Sequence, residues 1–177
     1  MTENANGWAV IFDVASTFVD MTPADPDLKD LLTRLKGEGF KLVIATGDAG
    51  PDETNKSLIN AKKTLAATNL PEEEWPIVYT NIPKGFRTEL ASFAARIDIH
   101  SKRCILIDDS SENIKAAEQA GMHGIDFHAR QHSHNHRYRI DGKRHVGPLV
   151  LLGDLISALS WENPGTVPTI APENTLG

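Results

Sequence analysis

Four apolar runs in this sequence each end on residues able to do chemistry. "WAVIFDVASTFVD", residues 8–20, delivers one carboxylate, Asp13, followed by Ala15 and Thr17. "KLVIAT" ends on Thr46 with Gly47 beyond it, and Lys84 stands in the loop after "PIVYT". "CILIDDSSEN" ends on adjacent acids, Asp108 and Asp109, with Asn113 one helical turn on. Neighbouring charges where a buried strand meets a helix are costly unless a cation or a lysine compensates. By themselves, one acid would cap the helix and the other be solvated. Adding Asp13 changes the balance, because three carboxylates at one sheet edge are the oxygen set that Mg²⁺ takes. A hydroxyl and a lysine beside them suggest a phosphate site. The plainer reading of Lys84 is a solvated loop lysine, and Thr17 braces its loop by hydrogen bonding.

The elements that must position these residues alternate as strand and helix through five strands. Such alternation predicts a parallel sheet covered on both faces. After the first strand, Leu28, Leu31, Leu32 and Leu35 recur at helical spacing between Pro26 and Gly37. "KLVIAT" is the second strand, "ETNKSLINAKKTLAATNL" a helix and "PIVYT" a short strand. "FRTELASFAARI" places Phe86, Leu90, Phe93, Ala94 and Ile97 on one helical face. "CILI", the helix "SENIKAAEQA" closed by Gly121, and the strand "GIDF" complete the series. In open sheets of this kind ligands sit beyond the carboxyl ends of the strands, which is where the reactive residues fall.

A chain of 177 residues with about two-fifths apolar and one-quarter charged residues is an ordinary globular composition. No run approaches the roughly 18 apolar residues of a membrane span, and "MTENANG" lacks the basic and apolar regions of a signal peptide. The expectation is a cytoplasmic protein with no membrane partner. Cys104, the single cysteine, lies within an apolar run and reads as a small buried hydrophobe.

"IFDVAST", "VIATGD", Lys84 and "ILIDDSSENIKAAEQAGMHGIDF" together resemble, in order over residues 8–127, the four motifs of the haloacid dehalogenase superfamily. The last stretch is the most specific, since paired acids, Asn113, the Ala-Ala pair and Gly121 all match. The resemblance implies a three-layer α/β/α Rossmann-like fold and a Mg²⁺-dependent hydrolase of phosphate monoesters. Asp13 would be the nucleophile, forming an aspartyl-phosphate. Asp13, the backbone carbonyl of Ala15 and Asp109 would hold Mg²⁺, with Asp108 supporting. Thr46 and the Gly47 N–H would bind phosphoryl oxygens, and Lys84 would offset the charge gathered there. Asn113 would orient Lys84 or a metal-bound water.

Ala15 departs from that pattern. Phosphatases of the superfamily carry Asp-x-Asp-x-Thr, whose second Asp is general acid and then general base, a loss that typically costs about 10² to 10⁴ in rate. Three explanations follow. The chain is a variant of "IFDVDSTFVD" made to silence an enzyme, or a phosphate- and metal-binding regulatory pseudo-phosphatase, or it runs different chemistry on the same scaffold. Phosphonoacetaldehyde hydrolases resemble the first motif, with an alanine at this place, but rely on a lysine from an inserted helical cap. Only 28 residues lie between Thr17 and Thr46, and a helix and strand occupy most of them. The expectation is therefore a capless phosphatase-like hydrolase, open to a small phosphorylated substrate or a phosphorylated macromolecule.

Residues 128–145, "HARQHSHNHRYRIDGKRH", set five Lys or Arg and five His against one Asp. That is a formal +4 with neutral His, leaving −10 for the rest of a chain whose net charge is −6. The balance disfavours nucleic acid except through a phosphate end. Asp141-Gly142 predicts a β-hairpin near residues 132–147, with His132, His134, His136, Tyr138 and Ile140 on one face. Three alternate His lack a fourth ligand for Zn²⁺. A surface hairpin that joins copies of the chain, or overhangs the site and attracts an anion through Arg130, Arg137, Arg139, Lys143 and Arg144, is the preferred expectation. "PLVLLGDLISALSW" closes a single domain, residues 1–161, and the Pro- and Gly-rich residues 162–177 read as a flexible tail.

Overall fold

The computed structural model describes residues 7–21, 27–130 and 133–161. Pro26, His132 and the segment 162–177 lie outside the described residues. Strands β1 (Ala9–Asp13), β2 (Lys41–Ala45), β3 (Ile77–Tyr79), β4 (Cys104–Asp108) and β5 (His123–His128) are parallel; β6 (His136–Ile140) and β7 (Lys143–Gly147) are antiparallel additions. Together they form one sheet in the order β3-β2-β1-β4-β5-β6-β7. Every residue of β1 and β4 is buried, which is why both read as unbroken apolar runs rather than alternating ones.

Among the described residues five α-helices cover the sheet: α1 (Leu28–Gly37), α2 (Lys56–Ala67), α3 (Arg87–Arg96), α4 (Ser111–Gln119) and α5 (Leu149–Ser160). Leu28, Leu31, Leu32 and Leu35 of α1, Ala61 and Leu65 of α2, and Leu149, Leu152 and Ile156 of α5 share one core with Val10, Phe12, Ile105 and Phe127. Leu90, Phe93 and Ala94 of α3 with Ile114 and Ala117 of α4 pack on the opposite face, against Ile11, Val43 and Leu106. The architecture is three-layer α/β/α, as expected. Between Asp13 and Thr46 the described residues hold only a short 3-10 turn at Phe18–Asp20, α1 and β2, and no cap domain is evident. No described helix is long and apolar enough to cross a membrane. Cys104 is fully buried, and burial pushes its thiol up to about 12, so it packs as a hydrophobe.

The sheet is mixed where the alternation of elements predicted a parallel one, because the hairpin joins it instead of standing on the surface. Asp141 and Gly142 both have positive φ, 50° and 78°, the turn geometry that matches strand twist and brings β7 back along β6. The alternation places His136 and Tyr138 inward, both essentially fully buried. Tyr138 stacks 5.5 Å from Phe127, and its hydroxyl lies 3.2 Å from the Gly147 carbonyl oxygen and 3.0 Å from that of Pro148. Burying that ring outweighs leaving it in water, and a satisfied hydroxyl removes the penalty. His134 instead sits exposed in a bend before the strand, so His134 and His136 do not share a face as a metal pair would.

Helix α4, which follows the acidic pair, seats directly on β5 at Gly124. A Cβ added there would come 2.7 Å from Ile114 Cγ2. Gly124→Ala should therefore push α4 outward and destabilise the fold by about 1–3 kcal/mol, seen as a lower midpoint in urea unfolding. An unchanged midpoint would mean that α4 does not rest on this strand.

Candidate active site

The register of the central strands decides which side chains meet. Phe12 pairs with Ile107, so Asp13 and Asp108, one residue further on, end their strands side by side and point to the same face. Asp13 pairs with Ala45 on its other flank, which brings Thr46 and Gly47 to the same edge. Asp108 is 1% exposed and Asp13 9%.

Lys84 enters from the loop between β3 and α3 and is 6% exposed, so it is not a solvated loop lysine. Its ammonium contacts Asp13 Oδ1, donates to the Ala45 carbonyl at 2.9 Å and lies 3.6 Å from Asp108 Oδ2. Those three oxygens compensate a desolvation that would otherwise expel the charge. Thr17 Oγ1 is 3.3 Å from Asp13 Oδ2 and 3.4 Å from Asp109 Oδ1. Having one proton, it donates to one carboxylate at a time and holds both near the loop.

The acids do not cap α4. Ser110 does, its hydroxyl accepting from the Asn113 N–H at 3.2 Å, while its own N–H donates to Asp108 Oδ1 at 3.0 Å. Asn113 Nδ2 donates to Asp108 Oδ2 at 3.0 Å. That amide contact is to Asp108, which itself lies 3.6 Å from the Lys84 ammonium. Thr46 is buried, and its Oγ1 accepts from the Asp48 N–H at 3.2 Å, leaving the hydroxyl proton to donate elsewhere. Ala15 and Ser16 are exposed, and Ser16 has φ of 57°, so the loop turns outward between Asp13 and buried Thr17.

Two participants escaped the sequence reading. Ser110 had a signal, since serine before a helix is a leading N-cap residue. The Ala45 carbonyl had none, because any residue supplies one.

Oxygens of Asp13, Asp108 and Asp109 lie within 4.8 Å of one another. Burial pushes Asp13 up to about 6, against the pull of Lys84 and with the help of the Asp108 charge. Burial and the Asp108 charge likewise raise Asp109. An all-oxygen set of mutually repelling carboxylates fits a hard divalent cation, which would relieve that repulsion.

All four stretches of the superfamily resemblance converge on one sheet edge, in chain order. The fold that gathers them is a three-layer α/β/α sheet. No family model matches the chain, and no curated protein does. Among solved structures, an uncharacterised protein from Corynebacterium glutamicum is similar at 24% identity, over 67% of this chain and 83% of that one, with a TM-score of 0.49. The core domain of a candidate phosphoglycolate phosphatase from Streptococcus pneumoniae is similar at 15% identity, over 67% and 78%, with a TM-score of 0.47. A D,D-heptose 1,7-bisphosphate phosphatase from Burkholderia thailandensis is similar at 19% identity, over 65% and 74%, with a TM-score of 0.45.

The raised acid has a consequence for stability. Below its ordinary value of 3.8 Asp13 is protonated in folded and unfolded chains alike and costs nothing. As pH rises the unfolded chain ionises first, and above about 6 the metal-free fold carries a penalty of about 3 kcal/mol. Thermal melts in chelator should show D13N gaining on the parent chain across that window, and Mg²⁺ should narrow the gap. Equal melts at every pH would refute a repulsive carboxylate cluster.

Proposed function

We propose that this chain is a Mg²⁺-dependent phosphatase-like hydrolase that acts on a phosphate monoester through Asp13. The observation that carries the reading is the meeting of Asp13, Asp108 and Asp109 with a buried Lys84 at the carboxyl edge of the sheet. Asp13, Asp109 and the Ala15 carbonyl would hold the metal, with Asp108 kept in place by Asn113 and the Ser110 N–H. Bound there, Mg²⁺ would neutralise phosphoryl oxygens and polarise the phosphorus toward attack.

The chain's own residues divide the remaining work. Lys84 holds Asp13 by Oδ1, which orients the carboxylate and leaves Oδ2 beside the Thr17 hydroxyl. A carboxylate oxygen of Asp13 attacks phosphorus, the bond to the ester oxygen breaks, and that oxygen leaves with the electron pair. Thr46 and the Gly47 N–H receive phosphoryl oxygens, and Lys84 balances their charge. Water then attacks the aspartyl-phosphate and frees inorganic phosphate.

Position 15 has no group to give the leaving oxygen a proton or to take one from water. Aryl esters, whose oxygen leaves without a proton, should therefore react far better than alkyl esters. Ala15 is exposed, so a carboxylate there would meet no core packing.

The same missing carboxylate favours a second reading, a regulatory protein that binds phosphate and metal and stalls before turnover. Carbon–phosphorus cleavage is the weaker alternative, because the described residues include no cap to supply its lysine.

Phosphate release from aryl and alkyl monoesters, with and without Mg²⁺, separates these readings. Ala15→Asp should raise alkyl ester turnover by about 10² or more, and Asp13→Asn should abolish turnover in both backgrounds. Phosphate or metal binding without turnover in either form favours the binding protein. Persistence of hydrolysis in D13N would sink the nucleophile assignment.

A further inference from the structure

The register that aligns the catalytic acids continues into the hairpin. Asp108 pairs with Asp126, Asp126 with Arg139, and Arg139 with Arg144. One row across four strands therefore reads acid, acid, arginine, arginine, all on the face that α3 and α4 cover further along the sheet. His128 and Arg137 form the next pair on that face. Among the described residues neither β6 nor β7 contributes to the core on this side. A cavity of about 310 Å³ lies there, lined by Asp126, His128, Arg137, Arg139 and Arg144. It adjoins the acids, since Asp126 in its lining is the direct strand partner of Asp108.

Arg137, Arg139 and Arg144 are exposed and make no ion pair among the described residues. The cavity's one carboxylate, Asp126, lies 2.7 Å from His128 Nε2, without the alignment of a hydrogen bond. Three guanidinium forks against one acid make a site for an anion with several oxygens, and arginine's planar fork matches phosphate. Strands are spaced about 4.8 Å apart, which sets Arg139 roughly 10 Å and Arg144 roughly 14 Å from Asp108. A cavity floored by two strand pairs at fixed distance from the acids suits one discrete group. An extended polyanion would instead meet the formal −10 carried by the chain outside residues 128–145.

We infer that the β6–β7 arginines bind a second phosphate of the substrate, so that the preferred substrate class is a small bisphosphorylated molecule with its phosphates about 10 Å apart. The inference rests on the reading of Asp13 and its neighbours as a phosphate-monoester site. Arg137 and Arg139 lie in the basic segment that the hydrolytic mechanism leaves unused, and they give this otherwise open edge a means of selecting its substrate.

Calorimetric binding of hexanediol bisphosphate and hexyl phosphate in Mg²⁺ tests it, because neither titration depends on turnover. The bisphosphate should bind at least about tenfold tighter, and R137Q/R139Q should erase most of that ratio. R139K, which keeps the charge and loses the fork, should fall between. The three positions are exposed, so a circular dichroism melt should show the variants folded. Equal binding of the two esters, or a preference that survives R137Q/R139Q, overturns the second-phosphate site and leaves the monoester reading standing. Failure of both esters to bind overturns both readings together. Tighter binding of a 5′-phosphorylated oligonucleotide than of the bisphosphate overturns the small-molecule assignment in favour of a nucleic acid end.

Discussion

The buried ammonium of Lys84 is the constraint around which the site is arranged. Two carboxylates stand at adjacent strand ends nearly out of water, and burial with the neighbouring Asp108 charge makes Asp13 resist ionisation. One lysine reaching Asp13, Asp108 and the Ala45 carbonyl offsets part of that cost and fixes the direction in which Asp13 points. Asp109, one residue further and partly exposed, makes no ion pair with Lys84 and lies beside the Thr17 hydroxyl. The cluster is therefore balanced on one side and open on the other. That asymmetry suits a cation and an incoming phosphate.

The sheet acts as the ruler for this arrangement. Parallel pairing between β1, β2 and β4 sets Thr46, Asp13 and Asp108 at one edge, and neighbouring loops need only add Lys84 and Thr17. Helix α4 contributes through its first turn, where Ser110 satisfies the helix end and frees the acids from that duty. Because β5, β6 and β7 keep the same register, the ruler also extends to arginines far along the chain. The carboxylate cluster and the basic cavity beside it are thus two parts of one surface.

Ala15 stands apart from this economy. It lies on the exposed turn of the first loop, where neither the core nor the carboxylate cluster depends on its side chain. Chemistry at that position can change without disturbing Asp13, Lys84 or the sheet. The separation explains how the arrangement of Asp13, Asp108, Asp109 and Lys84 can stand complete with an alanine at position 15.

Much of this was legible in sequence. Buried parallel strands must be apolar on both faces, so β1, β2 and β4 announce themselves, and the residues that end them are the ones the sheet presents. The five leading strands, the helices between them and the convergence of Asp13, Thr46, Lys84, Asp108 and Asp109 followed from that logic. Other features depended on contacts between distant segments. Alternation in "HRYRI" marked a strand, but only the burial of Tyr138 against Phe127 decided that the hairpin would complete the sheet. Residue types named Asn113, but the place of its amide on Asp108 came from the packing of α4 on β5. The sequence by itself determined which groups could do chemistry, because strand ends and helix starts are local properties. Tertiary structure alone decided which oxygen faces which nitrogen, because register between strands joins residues that the chain keeps far apart.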